Sequence, residues 1–325
     1  MSVEPAGAVV PGSTGTGAAS GESQLLCSVL VGRVSTREGA RIFELLAAMR
    51  RQQPGGAHEI IIADRLTDGV SARIAADFPE VARIVCPGET TLPALRATAL
   101  ARARGRYVVV TEDHCVPADD WIAQIVATFR QAPAGVAAVG GSVTNGLPER
   151  WLDRATFQCE YGNYAPPVAD GTCDEVPGMN VAYVREHLVT VAPNLLQEGF
   201  WEAGVHAALR GRGLSFLSSS RIRVAHKKQI GFVEFIRQRF WYSRHFAGNR
   251  FPGKAFARRA FAFALTPALP LLLAWRFHRA ALRRSAYARE FVAALPLLAI
   301  FAVVWALGEM AGYAFGPGDA LRKLE

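Results

Sequence analysis

The sequence predicts an α/β protein in which helices flank a mainly parallel sheet, with amphipathic and transmembrane helices at the C-terminus. Two observations carry this prediction. Apolar, Val- and Ile-rich runs alternate with helix-like segments over roughly 120 residues, a pattern typical of parallel strands joined by crossover helices. The chain then becomes basic: between Arg221 and Arg289, sixteen Lys and Arg residues accompany one acid, although the net charge of the 325-residue chain is only +8.

The alternating part begins after an N-terminal tail. Strands are expected at 25–31, 59–63, 81–85, 107–111 and 136–139, and helices between them at 36–52, 70–78, 92–104 and 119–131. From Gly140 to Asn194 many Gly, Pro and Asn residues interrupt the pattern, so we expect a substrate-binding half here and not a continuation of the sheet. A helix at 198–212 and two short extended pieces, 216–219 and 221–225, follow.

Several common function classes lack their signatures in this sequence. No GxGxxG follows the first strand and no GxxxxGK(S/T) occurs, so neither a dinucleotide fingerprint nor a P-loop is available. The five cysteines include no CxxC pair, which indicates free thiols in a reducing compartment. Residues 1–23 contain no early Lys or Arg and no hydrophobic core segment, so they predict a disordered tail and not a signal peptide.

The stretch Tyr107–Trp121, YVVVTEDHCVPADDW, contains the candidate reaction centre. Its first four apolar residues predict a buried strand, and Glu112, Asp113 and His114 follow close behind. Packing of such a strand does not require two acids and a histidine at its C-terminal end, whereas ligands of open α/β sheets bind at that edge. We therefore expect these side chains to act on a ligand. The alternative is that they are solvated loop residues.

A basic amphipathic helix is expected from residue 229 to residue 256. Phe232, Phe235, Ile236 and Phe240 recur at helical spacing, and arginines occupy the other faces. Such a helix can lie on an anionic membrane surface, which the following hydrophobic segments favour over nucleic acid as the partner. The alternative is a helix that packs on the preceding domain and exposes a solvated basic face.

Two uncharged segments follow this helix, Ala260–Trp275 and Phe291–Gly308. As helices, the first reaches about 24 Å, short of the ~30 Å hydrocarbon core, and the second is just long enough to span it. If both segments spanned, the Arg-rich link between them would face the side opposite the main domain, against the positive-inside rule. We therefore expect a re-entrant or short helix at 260–275 and a transmembrane helix at 291–310. A two-span hairpin is the alternative.

An ordered series of short motifs resembles the family 2 glycosyltransferases. The motifs are SVLVGRVS at Ser28–Ser35, EIIIADR at Glu59–Arg65, a loose ARNxG echo at Leu95–Thr98, VTEDHCVP at Val110–Pro117, GMNVA at Gly178–Ala182 and the helix at Glu198–Gly213. The resemblance covers residues 25–241 and implies the GT-A fold. The usual Pro, Tyr and Asn are absent after the first strand, and Arg65 stands where the family has a second Asp.

The resemblance implies a donor and metal site. Asp64 matches the Asp that contacts the nucleotide base, and Glu112 and His114 match the two acids of the metal-binding DxD. Asp113 and Asn180 join Asp64 and Glu112 as residues expected to bind the donor and its cofactor. The cofactor is a divalent metal, Mn²⁺ or Mg²⁺, and an imidazole in the second acid position shifts the preference toward Mn²⁺ or another borderline metal.

Two further roles follow from the resemblance. Glu202 matches the position of the catalytic base, which removes the proton of the acceptor hydroxyl. His226 is expected to complete a metal site made of Glu112, Asp113, His114 and His226. The alternative is that it belongs, with Lys227 and Lys228, to a basic cluster beside the membrane.

The expected protein is an inverting glycosyltransferase anchored by its C-terminal hydrophobic region to the cytoplasmic face of the membrane. It would use a nucleotide-sugar donor and a lipid-linked or envelope-polysaccharide acceptor. The expected domains are a tail at 1–23, a GT-A domain at 24–228, an interface helix at 229–256 and a membrane-associated region at 257–325. The alternatives are a non-catalytic, degenerate membrane scaffold and a sugar-phosphate nucleotidyltransferase, which needs a Gly-rich basic loop that Gly32-Arg33 supplies poorly.

Overall fold

The computed structural model describes residues 25–35, 39, 41–53, 57–191, 199–251, 256–282 and 288–323. The tail predicted at 1–23, the expected helix start at Glu198 and the linking residues Arg283 and Arg284 lie outside these ranges. Within the described residues, one mixed sheet carries helices on both faces and a group of helices follows it. The predicted α/β class, with a mostly parallel sheet flanked by helices, is confirmed.

The strands are β1 (Cys27–Arg33), β2 (His58–Asp64), β3 (Ala82–Val85), β4 (Tyr107–Glu112), β5 (Cys115–Pro117), β6 (Val136–Asn145), β7 (Gly171–Cys173), β8 (Val181–Val184) and β9 (Ser215–His226). Strands β3, β2, β1 and β4 are parallel neighbours. Strand β8 pairs antiparallel with both β4 and β6, β9 runs parallel to β6, and β5 and β7 pair antiparallel with β9.

The helices are α1 (Arg41–Arg50), α2 (Gly69–Asp77), α3 (Leu92–Arg102), α4 (Trp121–Gln131), α5 (Trp151–Tyr161), α6 (Arg185–Val191), α7 (Glu202–Gly211), α8 (Phe232–Arg250), α9 (Phe256–Leu265), α10 (Leu269–Leu282) and α11 (Ala288–Phe315). Short 3-10 helices lie at Gly162–Tyr164, Thr266–Ala268 and Ala320–Lys323.

Alternate side chains of β1, β2 and β4 enter two separate hydrophobic cores. In β4, Tyr107 and Val109 pack with helices α1 and α4, whereas Val108 and Val110 pack on the opposite face with α3 and α7. This alternation follows from the two-residue period of a strand. Because both faces of β4 are buried, the strand reads as an unbroken apolar run, as strands of parallel sheets do.

The expectation that residues 140–194 do not continue the sheet is wrong. Strand β6 runs on to Asn145, and β8 fills the gap between β4 and β6. The glycines that suggested a loop serve close packing: a Cβ atom on Gly141 would lie 2.0 Å from the carbonyl oxygen of Ile222 in β9. The two short pieces expected at 216–225 form one strand, β9, with a shift of register opposite Gly141 and Ser142.

The first C-terminal helical segment is longer than the expected 260–275. Helices α9 and α10, joined by one 3-10 turn, extend from Phe256 to Leu282, because Pro270 falls in the first turn of α10, where its missing N–H is not required. Two segments, Phe256–Arg279 and Phe291–Phe315, are long and apolar enough to cross a membrane by length and composition, with mean hydropathies of 1.5 and 2.4.

The sheet brings three strand ends to one edge. In the parallel register Arg33 of β1 lies beside Asp64 of β2, and Gly32 of β1 lies beside Glu112 of β4. The carboxyl ends of these strands, where ligands bind in open α/β sheets, therefore carry the polar residues that the sequence analysis singled out.

Candidate active site

Glu112, His114 and His226 converge at the end of β4. The Nε2 atom of His114 lies 3.1 Å from Oε2 of Glu112 and 3.0 Å from Nε2 of His226, and the Glu112 and His226 atoms are 3.8 Å apart. The pairing of β5 with β9 creates this contact, since it sets Cys115 opposite His226 and brings the turn before Cys115 next to the end of β9. Both histidines are buried and Glu112 is partly open.

The three atoms fit a single divalent cation. Ligand atoms about 2 Å from one metal lie roughly 3 to 4 Å apart, which matches the observed separations. Asp113 is not part of this triangle: its Oδ1 accepts a hydrogen bond from Nδ1 of His114 at 2.9 Å. A carboxylate in this position fixes the ring of a metal-binding histidine with its other nitrogen facing the metal. The Sγ atom of Cys115 also belongs to the group, whose potential ligand atoms all lie within 4.8 Å of one another.

The charges of this group are strongly perturbed. Burial opposes the charged form of His114, but its hydrogen bonds to Asp113 and Glu112 outweigh that effect and raise its pKa to about 9. Burial and the neighbouring His114 lower the pKa of His226 well below its ordinary value. Although burial favours the neutral acid, the hydrogen bond from His114 and the charges of His114 and Arg96 lower the pKa of Glu112. One imidazolium and one carboxylate thus face a neutral imidazole.

Arg96 of α3 connects this group to Glu202. One terminal nitrogen of its guanidinium group bonds Oε1 of Glu202, and the other lies 3.4 Å from Oε1 of Glu112. Arg96 is only 3% exposed. Glu202 is the first residue of α7, and it packs so closely on Gly178 that a Cβ atom there would lie 2.9 Å from its carboxylate. Burial raises the pKa of Glu202, and the charge of Arg96 opposes this rise.

Asp64 lies at the same sheet edge but in a separate, buried network. Its carboxylate is 3.3 Å from the guanidinium group of Arg33, accepts a hydrogen bond at 2.8 Å from the hydroxyl of Ser71, and accepts another at 2.9 Å from Arg83. Arg33 also binds Asp68 at 2.7 Å. Asp64 is fully buried, so protein groups occupy the carboxylate that was predicted to contact a nucleotide base.

Asn180 lies between strands and is fully buried. Its side-chain amide donates to the carbonyl oxygens of Ser142 and Ile222 at 2.9 and 3.1 Å, and its Oδ1 accepts from the indole N–H of Trp121 at 2.8 Å. The amide group therefore ties β6, β9 and α4 to the loop that precedes β8. Its role in donor binding stays a prediction.

The basic residues after β9 have different surroundings. The ammonium group of Lys227 pairs with Glu44 of α1 at 2.5 Å, and its backbone N–H donates to the carbonyl of His114. Lys228 lines a small cavity beside His226 and Glu160. Lys227 thus fixes the end of β9 against α1, which helps to hold His226 near His114.

Two members of the site were missed by sequence reasoning. Arg96 falls on the loose ARNxG echo, but a lone Arg in an amphipathic helix gives no sign that it is buried between two acids. Cys115 follows His114 directly, and it points to the same group because the chain turns between β4 and β5. A thiol beside two imidazoles suits a borderline metal better than Mg²⁺.

Comparison with known proteins gives matches to a family and to solved structures. Residues 34–179 match the family model described as Glycosyl transferase family 2. The mannosyltransferase PcManGT from Pyrobaculum calidifontis, solved with GDP-Man and Mn²⁺, has a TM-score of 0.52 and 21% identity over 90% of this chain and 85% of that one. S. aureus TarS 1-349, solved with UDP-GlcNAc, has a TM-score of 0.46 and 13% identity over 64% and 60%.

No curated protein sequence matches the chain. The family match begins just after β1 and ends just before β8, so it includes β4 with Glu112 but neither Glu202 nor His226. The mannosyltransferase shares the fold over most of both chains. Residues 34–179 are therefore similar to family 2 glycosyltransferases, the chain shares the GT-A-like fold of the mannosyltransferase, and together the two matches support a glycosyltransferase.

Proposed function

We propose that the protein transfers a sugar from a nucleotide-sugar donor to a lipid-linked or envelope-polysaccharide acceptor, with inversion at the anomeric carbon. One observation carries the proposal: Arg96 joins Glu112, a member of the candidate cation site, to the partly buried carboxylate of Glu202. A group for the leaving diphosphate and a group for the acceptor proton are thus close together. The fold relative from Pyrobaculum was solved with GDP-Man and Mn²⁺, which supports such a donor and metal here.

Glu112, His114 and His226 would hold the divalent cation, with Asp113 orienting His114. When bound, the cation supplies positive charge that stabilises a diphosphate leaving group. Two imidazoles and one carboxylate favour Mn²⁺ or another borderline metal over Mg²⁺.

Glu202 is the proposed general base. Its carboxylate accepts the proton of the acceptor hydroxyl as that oxygen attacks the anomeric carbon. Arg96 fixes one oxygen of the carboxylate and leaves the other for the acceptor. The side chain is partly exposed, so an acceptor can reach it. A base on the side opposite the leaving group gives inversion.

We further propose that residues 24–228 are the catalytic part and that the region from residue 229 attaches the protein to the cytoplasmic face of the membrane. The two apolar C-terminal segments support this attachment. Nucleotide sugars are made in the cytoplasm, so a donor site on that face has access to its substrate. A site beside the bilayer suits an acceptor that a lipid carries.

The test is a hydrolysis screen over nucleotide sugars, run with Mn²⁺, with Mg²⁺ and with a chelator. We expect turnover with one donor class in Mn²⁺, loss with the chelator, and a loss of at least 100-fold in Glu202→Gln. The matched control is Glu186→Gln, which alters an exposed first-turn glutamate of α6 and should keep full activity. Unchanged activity in Glu202→Gln would refute the base assignment, and retention of configuration by NMR would refute inversion.

Calorimetry separates this proposal from a non-catalytic scaffold. Nucleoside diphosphates should bind more tightly with Mn²⁺ than without it, because a cation held by Glu112, His114 and His226 would supply positive charge for the phosphates. Equal affinity for the nucleoside diphosphate with and without Mn²⁺, or no binding at all, would favour the non-catalytic scaffold.

A further inference from the structure

Helix α11 is apolar on both of its faces, yet the residues that the structure describes cover only one of them. One stripe is buried and includes Phe291, Leu298 and Phe301. The opposite stripe is exposed and equally apolar; its large members are Val292, Leu295, Ile300, Val303 and Leu307. A helix that is hydrophobic all round is stable in water only when it is surrounded, so the exposed stripe calls for an apolar neighbour.

Helix α11 stays against the rest of the protein along its whole length. At its start, the indole N–H of Trp151 in α5 donates to the carbonyl of Ala293 at 2.6 Å. Further along, the ring of Phe301 packs edge-on against Phe235 of α8 at 4.6 Å. Near its end, Gly312 approaches α8 so closely that a Cβ atom would lie 2.5 Å from a backbone carbonyl. Helices α8 and α11 therefore run side by side.

Helices α9 and α10 fold back along α11. Arg259, near the start of α9, donates to the carbonyl of Tyr313 near the end of α11 at 2.6 Å. Phe277, near the end of α10, packs against the cluster that contains Phe291 at the start of α11. Helices α9 and α10 together form one arm of an antiparallel hairpin, and α11 forms the other. The outer surface of the first arm is apolar, with exposed side chains at Phe256, Phe261, Leu265, Leu271, Leu272 and Trp275.

A span perpendicular to the bilayer conflicts with this packing. A helix that crosses the ~30 Å hydrocarbon core takes its lateral neighbours with it. The neighbours of α11 include α5 and α8, and α8 contacts the catalytic part through the Arg239–Glu160 pair at 3.6 Å and the tilted ring contact of Trp201 with Tyr242. Exposed Arg237 of α8 would then enter hydrocarbon, which costs about 3 kcal/mol or more for an Arg at the centre of a membrane.

We propose that the hairpin of α9, α10 and α11 is a monotopic platform that lies in the plane of one leaflet. Neither of its two apolar segments crosses the bilayer. The partner is the surface of an anionic bilayer. Arg258 lies at one end of the exposed apolar surface and Arg276 and Arg279 at the other, where they meet anionic headgroups. This goes beyond the proposed transfer reaction, and it rests on the proposed function only in taking a membrane as the partner.

Cysteine labelling distinguishes the three possible topologies. Single cysteines are placed at exposed sites in the catalytic part (Ser220→Cys), at the end of α10 (His278→Cys) and after α11 (Asp319→Cys). Sealed inverted vesicles, with the unaltered protein as the blank for its native thiols, are treated with a membrane-impermeant maleimide before and after detergent. We expect all three sites to react equally before detergent is added.

Each other pattern overturns the proposal. Protection of His278→Cys alone indicates a two-span hairpin, and protection of Asp319→Cys alone indicates one span by α11. Donor hydrolysis is measured on the same samples. A protein that is active but stays in the soluble fraction would contradict the membrane platform and agree with the transfer reaction. A protein that shows the expected labelling but no hydrolysis would agree with the platform and contradict the transfer reaction.

Vesicle binding tests the contact surface itself. Leu271 is 76% exposed, so Leu271→Asp should leave the fold intact and weaken sedimentation of the protein with vesicles that contain anionic lipid by at least tenfold. The matched control is Val85→Asp, at a 59% exposed position on β3. Equal binding of the two variants would overturn the proposed surface.

Discussion

The guanidinium group of Arg96 is bonded to the carboxylate of Glu202, and its second nitrogen reaches Glu112 at 3.4 Å. The proposed base, Glu202, and a proposed metal ligand, Glu112, thus contact the same buried guanidinium group. The arrangement lets the positive charge of Arg96 oppose the rise in the pKa of Glu202 that burial causes. Arg96 is therefore expected to set both the position and the protonation of the base.

Replacement of Arg96 by Met should lower kcat by at least tenfold and move the acid limb of the pH–rate profile to higher pH. Without the guanidinium group the pKa of Glu202 rises further, so the base becomes protonated at a higher pH. Arg96→Lys, which keeps the charge, should shift the limb less. Arg73→Met, which removes an exposed arginine paired with Asp77, is the control. An acid limb that stays in place in Arg96→Met would contradict the prediction.

Replacement of His114 by Asp should shift the metal preference toward Mg²⁺. The change replaces an imidazole by a carboxylate, and Mg²⁺ prefers oxygen ligands. The measurement is the ratio of turnover in Mg²⁺ to turnover in Mn²⁺, which should increase by at least tenfold. His187→Asp, in α6, should leave the ratio unchanged. The prediction fails if both variants give the ratio of the unaltered protein.

Replacement of Asn180 by Ala should destabilise the fold by about 3 kcal/mol or more, because the indole N–H of Trp121 and two backbone carbonyls lose their partners in a buried position. The melting temperature in detergent measures the effect. Asn249→Ala, at an exposed position of α8, should change it by less than a degree or two. A stable Asn180→Ala protein with weakened donor binding would instead favour the donor role that the sequence predicted.

Replacement of Gly308 by Ala should push α8 and α11 apart. A Cβ atom at this position would lie 1.9 Å from the hydroxyl oxygen of Ser243 and 2.4 Å from the carbonyl oxygen of Phe240. We expect a loss of about 1 to 3 kcal/mol in stability. Gly211→Ala is the matched control, since it also lies in a helix but has open space around it and should gain a few tenths of a kcal/mol. Equal melting temperatures for the two variants would contradict the close packing.

The stability of the protein should fall between pH 6.5 and pH 4 in a way that depends on His206. Burial, with a smaller contribution from Arg210, lowers the pKa of this histidine to about 4. The unfolded chain takes up the proton near pH 6.5 and the folded chain only near pH 4, so stability is full above 6.5 and decreases as the pH falls. The largest contribution is about 3 kcal/mol. His206→Gln should flatten this part of the curve, and His278→Gln should not.

The fold class, and the edge of the sheet that carries the candidate site, could be predicted because the sequence patterns that indicate them are local. Strand β4 is apolar and ends at three polar residues, and this pattern depends only on neighbouring residues in the chain. The site at Glu112 and His114 follows from it. The insertion of β8 could not be predicted, because four residues carry too short a pattern and the glycines of β6 read as a loop.

The chemical details of the site depend on long-range contacts, which single-sequence patterns do not contain. His114 and His226 are 112 residues apart, and β5 and β9 bring them together. Asp113 was expected among the metal ligands, and its role stays a prediction; its carboxylate accepts a hydrogen bond from His114, a contact that the sequence did not indicate. The burial of Arg96 follows from packing between α3 and α7. The order of the motifs could place Glu202 in the site, but it could not reveal that the guanidinium group of Arg96 lies beside its carboxylate.

The pairing of β5 with β9 sets the time at which the site forms. Closing a loop of 112 residues costs about 4 kcal/mol of chain entropy, and the contacts that offset this cost arise late in the sequence. A growing chain displays Glu112 and His114 long before the ribosome has made His226. We therefore expect the proposed cation site to form only when β9 has been synthesised and paired, so nascent fragments that end before β9 should not compete for the metal.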